Sequence, residues 1–196
     1  MPEISVLPKD LLLHICCAPC SITCIASLRE EGIFPTGFWS NPNIHPYTEY
    51  RSRKNALIDY AHSISLPLIT EGDYGLRSFI QAVATDIDGR CTFCYDVRMN
   101  AVAKYAAENG FSHFTSTLFI SPYQNHDLLT QSAENAALTY GVGFFYRDFR
   151  PHFRQGQQQA RELGLYMQKY CGCVFSEEDR YRKKKMAALP TNETLV

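Results

Sequence analysis

The stretch "LLLHICCAPC", residues 11–20, joins the pattern of a strand to the pattern of a helix start. Two of its three cysteines lie between the two patterns, and the third follows Pro19. Leu11–Ile15 predicts a short buried strand, because a mostly apolar run bounded by loop signals is typical of a central strand. Pro19 suits the first position of a helix, where its missing N–H is not needed, and leaves the two cysteines before it in a loop. Strand, short loop and helix in this order predict a parallel α/β sheet.

The same alternation of strands and amphipathic segments continues along the chain. It predicts a Rossmann-like α/β fold, with a parallel sheet of about five strands and helices on both faces. The further predicted strands are Thr36–Ser40, Leu66–Thr70, His113–Leu118 and Gly143–Tyr146. The predicted helices are Ser21–Glu31, Thr48–Ile64, Leu76–Thr85, Cys94–Asn109, Asn125–Tyr140, Gln155–Leu163 and Ser176–Lys185.

Length and composition are those of an ordinary globular protein. The 196 residues carry a formal net charge of −1 and are enough to bury a full core, so neither disulfides nor zinc are needed merely for folding. We predict a single domain over residues 1–196, with its core at about 11–185 and a frayed tail at about 186–196. No signal peptide or membrane span is recognisable, so we expect no membrane contact and a cytoplasmic protein. Cysteines in that compartment stay reduced unless they are catalytic or bound to metal.

Seven of the eight cysteines form three tight clusters. These clusters are CCAPC (Cys16, Cys17, Cys20), CTFC (Cys91, Cys94) and CGC (Cys171, Cys173). A tetrahedral zinc takes four ligands and a four-iron cubane also takes four cysteines, so seven thiols predict an iron–sulfur cluster with a second metal. Structural zinc, a thiol redox pair and plain buried cysteines are the alternatives.

Helix geometry makes a further prediction about the first cluster. The amides and the dipole at the start of the first helix should favour thiolate over thiol at Cys16, Cys17 and Cys20. Cys24, further along the same helix, is predicted to be a buried packing residue.

Polar loops follow the other predicted strands, and ligands of such sheets bind beyond the carboxyl ends of the strands. The loop NPNIHP is a rigid turn that can present side chains to a ligand, although a plain strand-to-helix turn is the alternative. The loop SPYQN is expected in the same kind of position. The candidate residues on these two loops are Asn41, Asn43, His45, Ser121, Tyr123 and Asn125.

An arginine-rich and aromatic stretch, YRDFRPHFRQG, follows the last predicted strand. Its Arg147, Arg150 and Arg154 alternate with aromatic residues. Arginine forks suit phosphate and aromatic faces suit the bases of single-stranded RNA, so the stretch predicts an RNA contact. A solvated amphipathic surface is the alternative.

Together these stretches resemble the QueH family of epoxyqueuosine reductases. The matching segments are HICCAPC, FWSNPNIHPYTEYRSR, GRCTFCYDVRMN, TSTLFISPYQN, YRDFRPHFRQG and RELGLYMQKYCGCVFS, which span about residues 11–176. The resemblance implies a fold related to adenine-nucleotide α-hydrolases and PP-loop proteins. The ATP-binding loop of that superfamily is glycine-rich, whereas CCAPCS contains no glycine, so we expect no ATP.

The resemblance also implies a [4Fe-4S] cluster beside a mononuclear metal ion, iron with zinc as the alternative, and one shared cysteine. Carried onto this chain, Cys20 completes the mononuclear site, where some relatives have Asp; this softer ligand leaves the identity of the ion open. The other implied ligands are Cys16, Cys17, Cys91, Cys94, Cys171 and Cys173.

The implied reaction is the last step of queuosine biosynthesis, in which epoxyqueuosine at the wobble position of tRNA loses its epoxide oxygen. Tyr123 and His45 are the predicted proton donors, and a ferredoxin- or flavodoxin-like protein is the predicted electron donor. The predicted substrate-binding residues are Asn41, Asn43, Ser121, Asn125, Arg147, Arg150 and Arg154. The alternatives are an iron–sulfur tRNA thiolation enzyme of the PP-loop type, a zinc-stabilised RNA-binding module without catalysis, and a thiol redox protein.

Overall fold

The computed structural model describes residues 7–8 and 10–187, and its framework is one wholly parallel sheet. The sheet has five strands in the order β3-β2-β1-β4-β5, which confirms the predicted parallel α/β architecture. The strands are β1 (Leu11–His14), β2 (Thr36–Trp39), β3 (Leu68–Thr70), β4 (His113–Ser116) and β5 (Gly143–Phe144).

Seven α-helices and two short 3-10 turns connect and flank the described strands. Crossovers between parallel strands are right-handed as a rule, which would place the helices of the first two connections on one face and those of the later connections on the other. In agreement, α1 contacts α2 and α6, whereas α4 contacts α5. The helices are α1 (Ala18–Glu30), α2 (Tyr47–Ser63), α3 (Leu76–Val83), α4 (Arg90–Glu108), α5 (His126–Tyr140), α6 (Phe153–Glu162) and α7 (Val174–Ala187), and the 3-10 turns are Thr117–Ile120 and Arg150–His152.

The central strand β1 lies in the middle of the core. Leu11, Leu12 and Leu13 are all buried, because helices cover both faces of a parallel sheet. That double burial explains why this strand is a continuous apolar run and shows no alternation of polar and apolar residues.

The order of the strands creates a crevice between β1 and β4, whose connections leave in opposite directions. Ligands bind in folds of this kind at the carboxyl ends of two such strands. The chain that leaves β1 there carries Cys16 and Cys17, and the chain that leaves β4 carries Thr117. The two loops are joined, because the backbone N–H of Cys16 donates to the Thr117 hydroxyl at 3.3 Å.

Two further predictions concern the ends of the chain and the membrane. The predicted frayed tail falls outside the described residues from position 188 onward, and the single-domain organisation over residues 1–196 stays a prediction. Among the described helices, none combines the length and the apolarity that crossing a membrane would require.

Candidate metal centre

Three cysteine thiols meet at the carboxyl end of β1. The Sγ atoms of Cys16, Cys17 and Cys20 all lie within 4.8 Å of one another, and within residues 7–8 and 10–187 no other group of three or more His, Cys, Asp or Glu side chains lies this close. The Sγ atoms of Cys16 and Cys17 are 3.8 Å apart. Four sulfurs arranged tetrahedrally at about 2.3 Å from one ion are about 3.8 Å from each other. This buried thiol triad can therefore hold a single metal ion.

The start of α1 produces this arrangement. Cys17 is the N-cap residue and has an extended backbone, whereas Cys20 lies in the first turn of the helix. Residues three apart lie on the same side of a helix start, so the two thiols face the same space. The helix begins at Ala18, three residues before the predicted start at Ser21, and Pro19 is its second residue.

The three thiols differ in acidity. Hydrogen bonds from the Cys17 and Cys20 thiols hold the pKa of Cys16 well below its usual value. Burial raises the pKa of Cys17, and the hydrogen bond to Cys16 is the main reason that the pKa of Cys20 is also raised. The prediction of thiolate at all three positions is therefore wrong for Cys17 and Cys20. Burial and the shared hydrogen bonds outweigh the field of the helix at these two sulfurs.

The other clustered cysteines, here called the outer cysteines, are Cys91, Cys94, Cys171 and Cys173. Cys91 and Cys94 lie near the start of α4, while Cys171 and Cys173 lie in the loop before α7. Burial is the main reason that the pKa of Cys94 rises to about 12, and the charges of the other three outer cysteines add to it. The two outer pairs are therefore close enough to interact electrostatically.

Two buried arginines that we did not predict lie among these cysteines. Arg53 and Arg98 are each only 1% exposed. Burial alone would lower the pKa of Arg98. The charges of Cys94, Cys16 and Cys171 together outweigh the effect of burial, so the pKa of Arg98 is raised. These three cysteines come one from each cluster. Arg98 thus lies within electrostatic range of all three clusters. A buried cation needs a nearby negative charge, and the Cys16 thiol, whose pKa is held low, can supply it as a thiolate.

Arg53 holds the CGC loop in place. Its guanidinium donates to the carbonyl oxygens of Cys171 at 2.8 Å and Tyr170 at 2.9 Å, and it pairs with Glu49 at 2.6 Å. The sequence carried one signal that Arg53 is buried, namely its helical spacing. Arg53 lies three residues after buried Tyr50 and four residues before buried Leu57, so all three are on one face of α2.

Hydrogen-bond donors contact five of the clustered sulfurs, and sulfurs held as acceptors are suited to bind metal as thiolates. Three side-chain amides donate to sulfurs: Asn43 to Cys94 at 3.1 Å, Gln124 to Cys171 at 3.3 Å and Gln168 to Cys20 at 3.5 Å. The Thr117 hydroxyl donates to Cys16 at 3.6 Å, and the backbone N–H of Ser176 donates to Cys173 at 3.4 Å. Gln124, Gln168 and Thr117 were not predicted, since their partners are distant in sequence.

The NPNIHP loop is buried against this site. Asn41 donates to the carbonyl oxygen of Ile15 at 2.9 Å, which braces the segment that leads into the triad. His45 accepts the backbone N–H of Val174 at 3.4 Å, and its Nε2 is buried without a partner among the described residues. Burial lowers the pKa of His45 to about 4, so its ring is neutral at pH 7.

The SPYQN loop is partly to fully exposed, and its Gln124 contacts the Cys171 sulfur. The Ser121 hydroxyl accepts the backbone N–H of Tyr123 at 3.3 Å, and the Asn125 side chain caps α5 by accepting the N–H of Leu128 at 3.1 Å. Tyr123 is 84% exposed and its ring packs edge-on against Phe153, with ring centroids 5.9 Å apart.

The arginine-rich stretch is only partly available to a ligand. Arg147 pairs with Glu31, and Arg150 pairs with Asp148 at 2.6 Å. Arg154 is exposed and forms no ion pair within the described part of the chain.

The prediction for Cys24 is confirmed, because its thiol is fully buried and donates to the carbonyl oxygen of Cys20 at 3.2 Å.

Comparison with known proteins is decisive for the family. The model of the family described as epoxyqueuosine reductase QueH matches residues 11–179. This chain belongs to the QueH family. A QueH protein of Dehalococcoides mccartyi is 41% identical over 181 residues, which cover 92% of this chain and 99% of the relative. A QueH protein of Thermotoga maritima is 34% identical over 183 residues, covering 88% of this chain and 93% of the relative.

A solved structure supports the fold alone. It is described as a predicted subunit of tRNA methyltransferase from Methanocaldococcus jannaschii, and it superposes on this QueH family member with a TM-score of 0.53 at 10% identity. The match covers 79% of this chain and 76% of that protein. It supports the α/β architecture.

Proposed function

We propose that this chain reduces epoxyqueuosine to queuosine at the wobble position of tRNA, the last step of queuosine biosynthesis. The observation that carries the proposal is the buried thiol triad in the crevice at the end of β1, in a chain whose QueH match covers residues 11–179. A thiol-rich site at this edge of the sheet lies where ligands of such folds bind. Thiols stay reduced in the cytoplasm, which is the compartment we propose.

The seven clustered thiols are numerous enough for two metal groups. The triad has the spacing for one ion, and the proposed occupant is iron, with zinc as the alternative. The outer cysteines are the proposed ligands of a [4Fe-4S] cluster, whose four irons each take one cysteine. When bound, these groups would supply a Lewis acid for the C–O bond and an acceptor for single electrons. Arg53 and Arg98 offset the negative charge that so many thiolates bring to one place.

Removal of the epoxide oxygen consumes two electrons and two protons and releases water. Tyr123 and His45 stay our candidates for the proton donor. The His45 ring is already neutral at pH 7, since its pKa lies at about 4, and a neutral imidazole is a much weaker acid than a phenol. We therefore favour the hydroxyl of Tyr123, whose sequence neighbour Gln124 contacts the Cys171 sulfur.

We propose that the substrate is held by the SPYQN loop and by the arginine-rich stretch. Exposed Arg154 is the side chain most available to a phosphate, with Arg150 and Arg147 beside it in sequence. The proposed contacts to the modified nucleoside come from the SPYQN loop, through Ser121 and Asn125. The side chains of Asn41 and Asn43 are buried and donate to the Ile15 carbonyl oxygen and the Cys94 sulfur instead. A ferredoxin- or flavodoxin-like protein is the proposed source of electrons.

The proposal is tested on protein purified without oxygen. We expect about five iron and four acid-labile sulfide per chain, a brown colour that dithionite bleaches, and conversion of epoxyqueuosine to queuosine in tRNA by the reduced protein. Nucleoside analysis by mass spectrometry measures the conversion, and tRNA incubated with dithionite alone is the control.

Each alternative has its own outcome, and each would contradict the proposal. A thiolation enzyme would bind ATP, hold four iron without a fifth metal, and leave epoxyqueuosine intact. Colourless protein with stoichiometric zinc and no conversion would indicate the RNA-binding module. A reversible disulfide between Cys91 and Cys94 in metal-free protein would indicate a thiol redox protein.

A separate prediction concerns Tyr123. Phe in place of Tyr123 keeps the ring that packs against Phe153 and removes only the hydroxyl. If that hydroxyl supplies the proton, kcat falls by about 100-fold or more while KM for tRNA changes little. Steady-state kinetics at saturating reductant measure both. Tyr140→Phe, at a partly exposed tyrosine at the C-terminal end of α5, is the control and should behave as wild type. An unchanged kcat in Tyr123→Phe would rule out the proton-donor role.

A further inference from the structure

The amide group of Asn43 has only one possible orientation. The Nε–H of Arg98 bonds to the Oδ1 of Asn43 at 2.7 Å, and a guanidinium can only donate. The oxygen of this amide must therefore face Arg98, which turns its Nδ2 toward the Sγ of Cys94 at 3.1 Å. The choice between amide oxygen and nitrogen, which is often ambiguous, is determined here by the neighbour.

Gln124 is held by a different neighbour, the hydroxyl of Tyr95. The Tyr95 hydroxyl accepts the backbone N–H of Asn125 at 3.2 Å, so its own hydrogen is free to go to the Oε1 of Gln124 at 2.7 Å. The Nε2 of Gln124 then donates to the Sγ of Cys171 at 3.3 Å. A chain of hydrogen bonds thus runs from the start of α5 to a sulfur of the CGC loop.

Gln168, the third amide near a sulfur, lacks such an anchor. Its Oε1 is buried without a partner among the described residues, so no neighbour determines which end of the amide faces Cys20. Of the three side-chain amides, the two with an anchor therefore contact one outer cysteine in each outer pair.

We infer that Asn43 and Gln124 are oriented N–H donors that raise the reduction potential of the iron–sulfur group bound by Cys94 and Cys171, with Arg98 and Tyr95 as the residues that position them. Reduction adds an electron whose charge is shared with the ligand sulfurs, and an N–H directed at a sulfur stabilises that charge. The inference rests on the metal-binding part of the proposed function and is independent of the substrate.

The test removes one donor without adding charge. Gln124→Leu is a mild change, since Gln124 is partly exposed. We expect the holoenzyme to keep its iron and sulfide but to have a lower midpoint potential in an anaerobic mediated titration followed by visible and EPR spectra. At the wild-type midpoint the ratio of oxidised to reduced group should rise about threefold or more, as loss of one hydrogen bond predicts. Gln131→Leu, an exposed amide on α5, is the matched control and should leave the potential unchanged.

A double-mutant cycle separates positioning from mere packing. Tyr95→Phe should lower the potential in the same direction, because Gln124 then loses its anchor. The double variant should show no further shift beyond Gln124→Leu, since both changes act through one N–H. Independent, additive shifts would overturn the positioning role of Tyr95. Should Tyr95→Phe fail to fold, Gln124→Leu alone decides whether the donor matters.

The outcomes also separate this inference from the proposed function. A wild-type protein with a redox-active group and a Gln124→Leu variant of the same potential would overturn the inference alone. A wild-type protein that binds no such group would overturn both.

Discussion

Cys17→Ser will lower the rate of epoxyqueuosine reduction by at least about 100-fold, because replacing groups that merely support metal ligands already costs 10- to 100-fold. Serine offers a hard hydroxyl where Cys17 offers a soft sulfur, so a bound ion would lose one of its three closely spaced sulfurs. Metal analysis of the purified variant should show the loss of one metal ion per chain. The rate is measured on epoxyqueuosine-containing tRNA with dithionite as reductant.

Cys24→Ser is the control for this change. Cys24 is as deeply buried as Cys17, but its thiol is outside the triad and donates to the carbonyl oxygen of Cys20 at 3.2 Å. A serine hydroxyl can make the same bond, so metal content and rate should stay near those of the wild type. Full metal content and full rate in Cys17→Ser would show that the triad is not a metal site.

Arg98→Met is expected to weaken both the fold and the metal centre. Loss of one partner from a buried charged group costs about 3–5 kcal/mol, so the free energy of unfolding should fall by a similar amount. The variant also leaves the Oδ1 of Asn43 unpaired and removes the cation that lies near Cys16, Cys94 and Cys171. We expect metal affinity to fall by about 10- to 100-fold.

Two measurements check this prediction. Urea denaturation gives the free energy of unfolding, and competition with a chelator gives the metal affinity. Arg182→Met is the control, because Arg182 forms an exposed ion pair with Glu178 on α7 and such pairs contribute little. An Arg98→Met variant that folds and holds metal as tightly as the wild type would show that the thiolate charge is balanced by other groups.

Local sequence patterns were sufficient for the architecture. The apolar run at Leu11–Ile15 became β1, and the repeated strand and helix signals became a parallel sheet of five strands. These signals are local because a strand or a helix depends mainly on the spacing of its own apolar residues. The order of the strands was not predictable in this way, since pairing joins segments far apart in the chain. That order places the crevice at β1 and β4.

The site shows the same division. Three dense cysteine clusters are visible in the printed sequence, and their number alone favoured more than one metal group. Which thiols come within reach of a single ion depends on the turn between β1 and α1, where Cys17 caps the helix and Cys20 lies in its first turn. The acidity of those thiols depends on burial, which is why the prediction of three thiolates was wrong for two of them.

The amino-acid sequence was thus enough to establish the α/β class, the thiol inventory and the family resemblance. The roles of buried Arg98 and of the oriented amides could be recognised only in the folded structure, because the residues that interact are far apart in the sequence. Arg98 and Asn43 are 55 residues apart, and Gln124 and Cys171 are 47 residues apart. A polar side chain in a helix can face solvent or the interior, and packing against distant elements determines which. In this protein that packing surrounds the cysteines with buried cations and N–H donors.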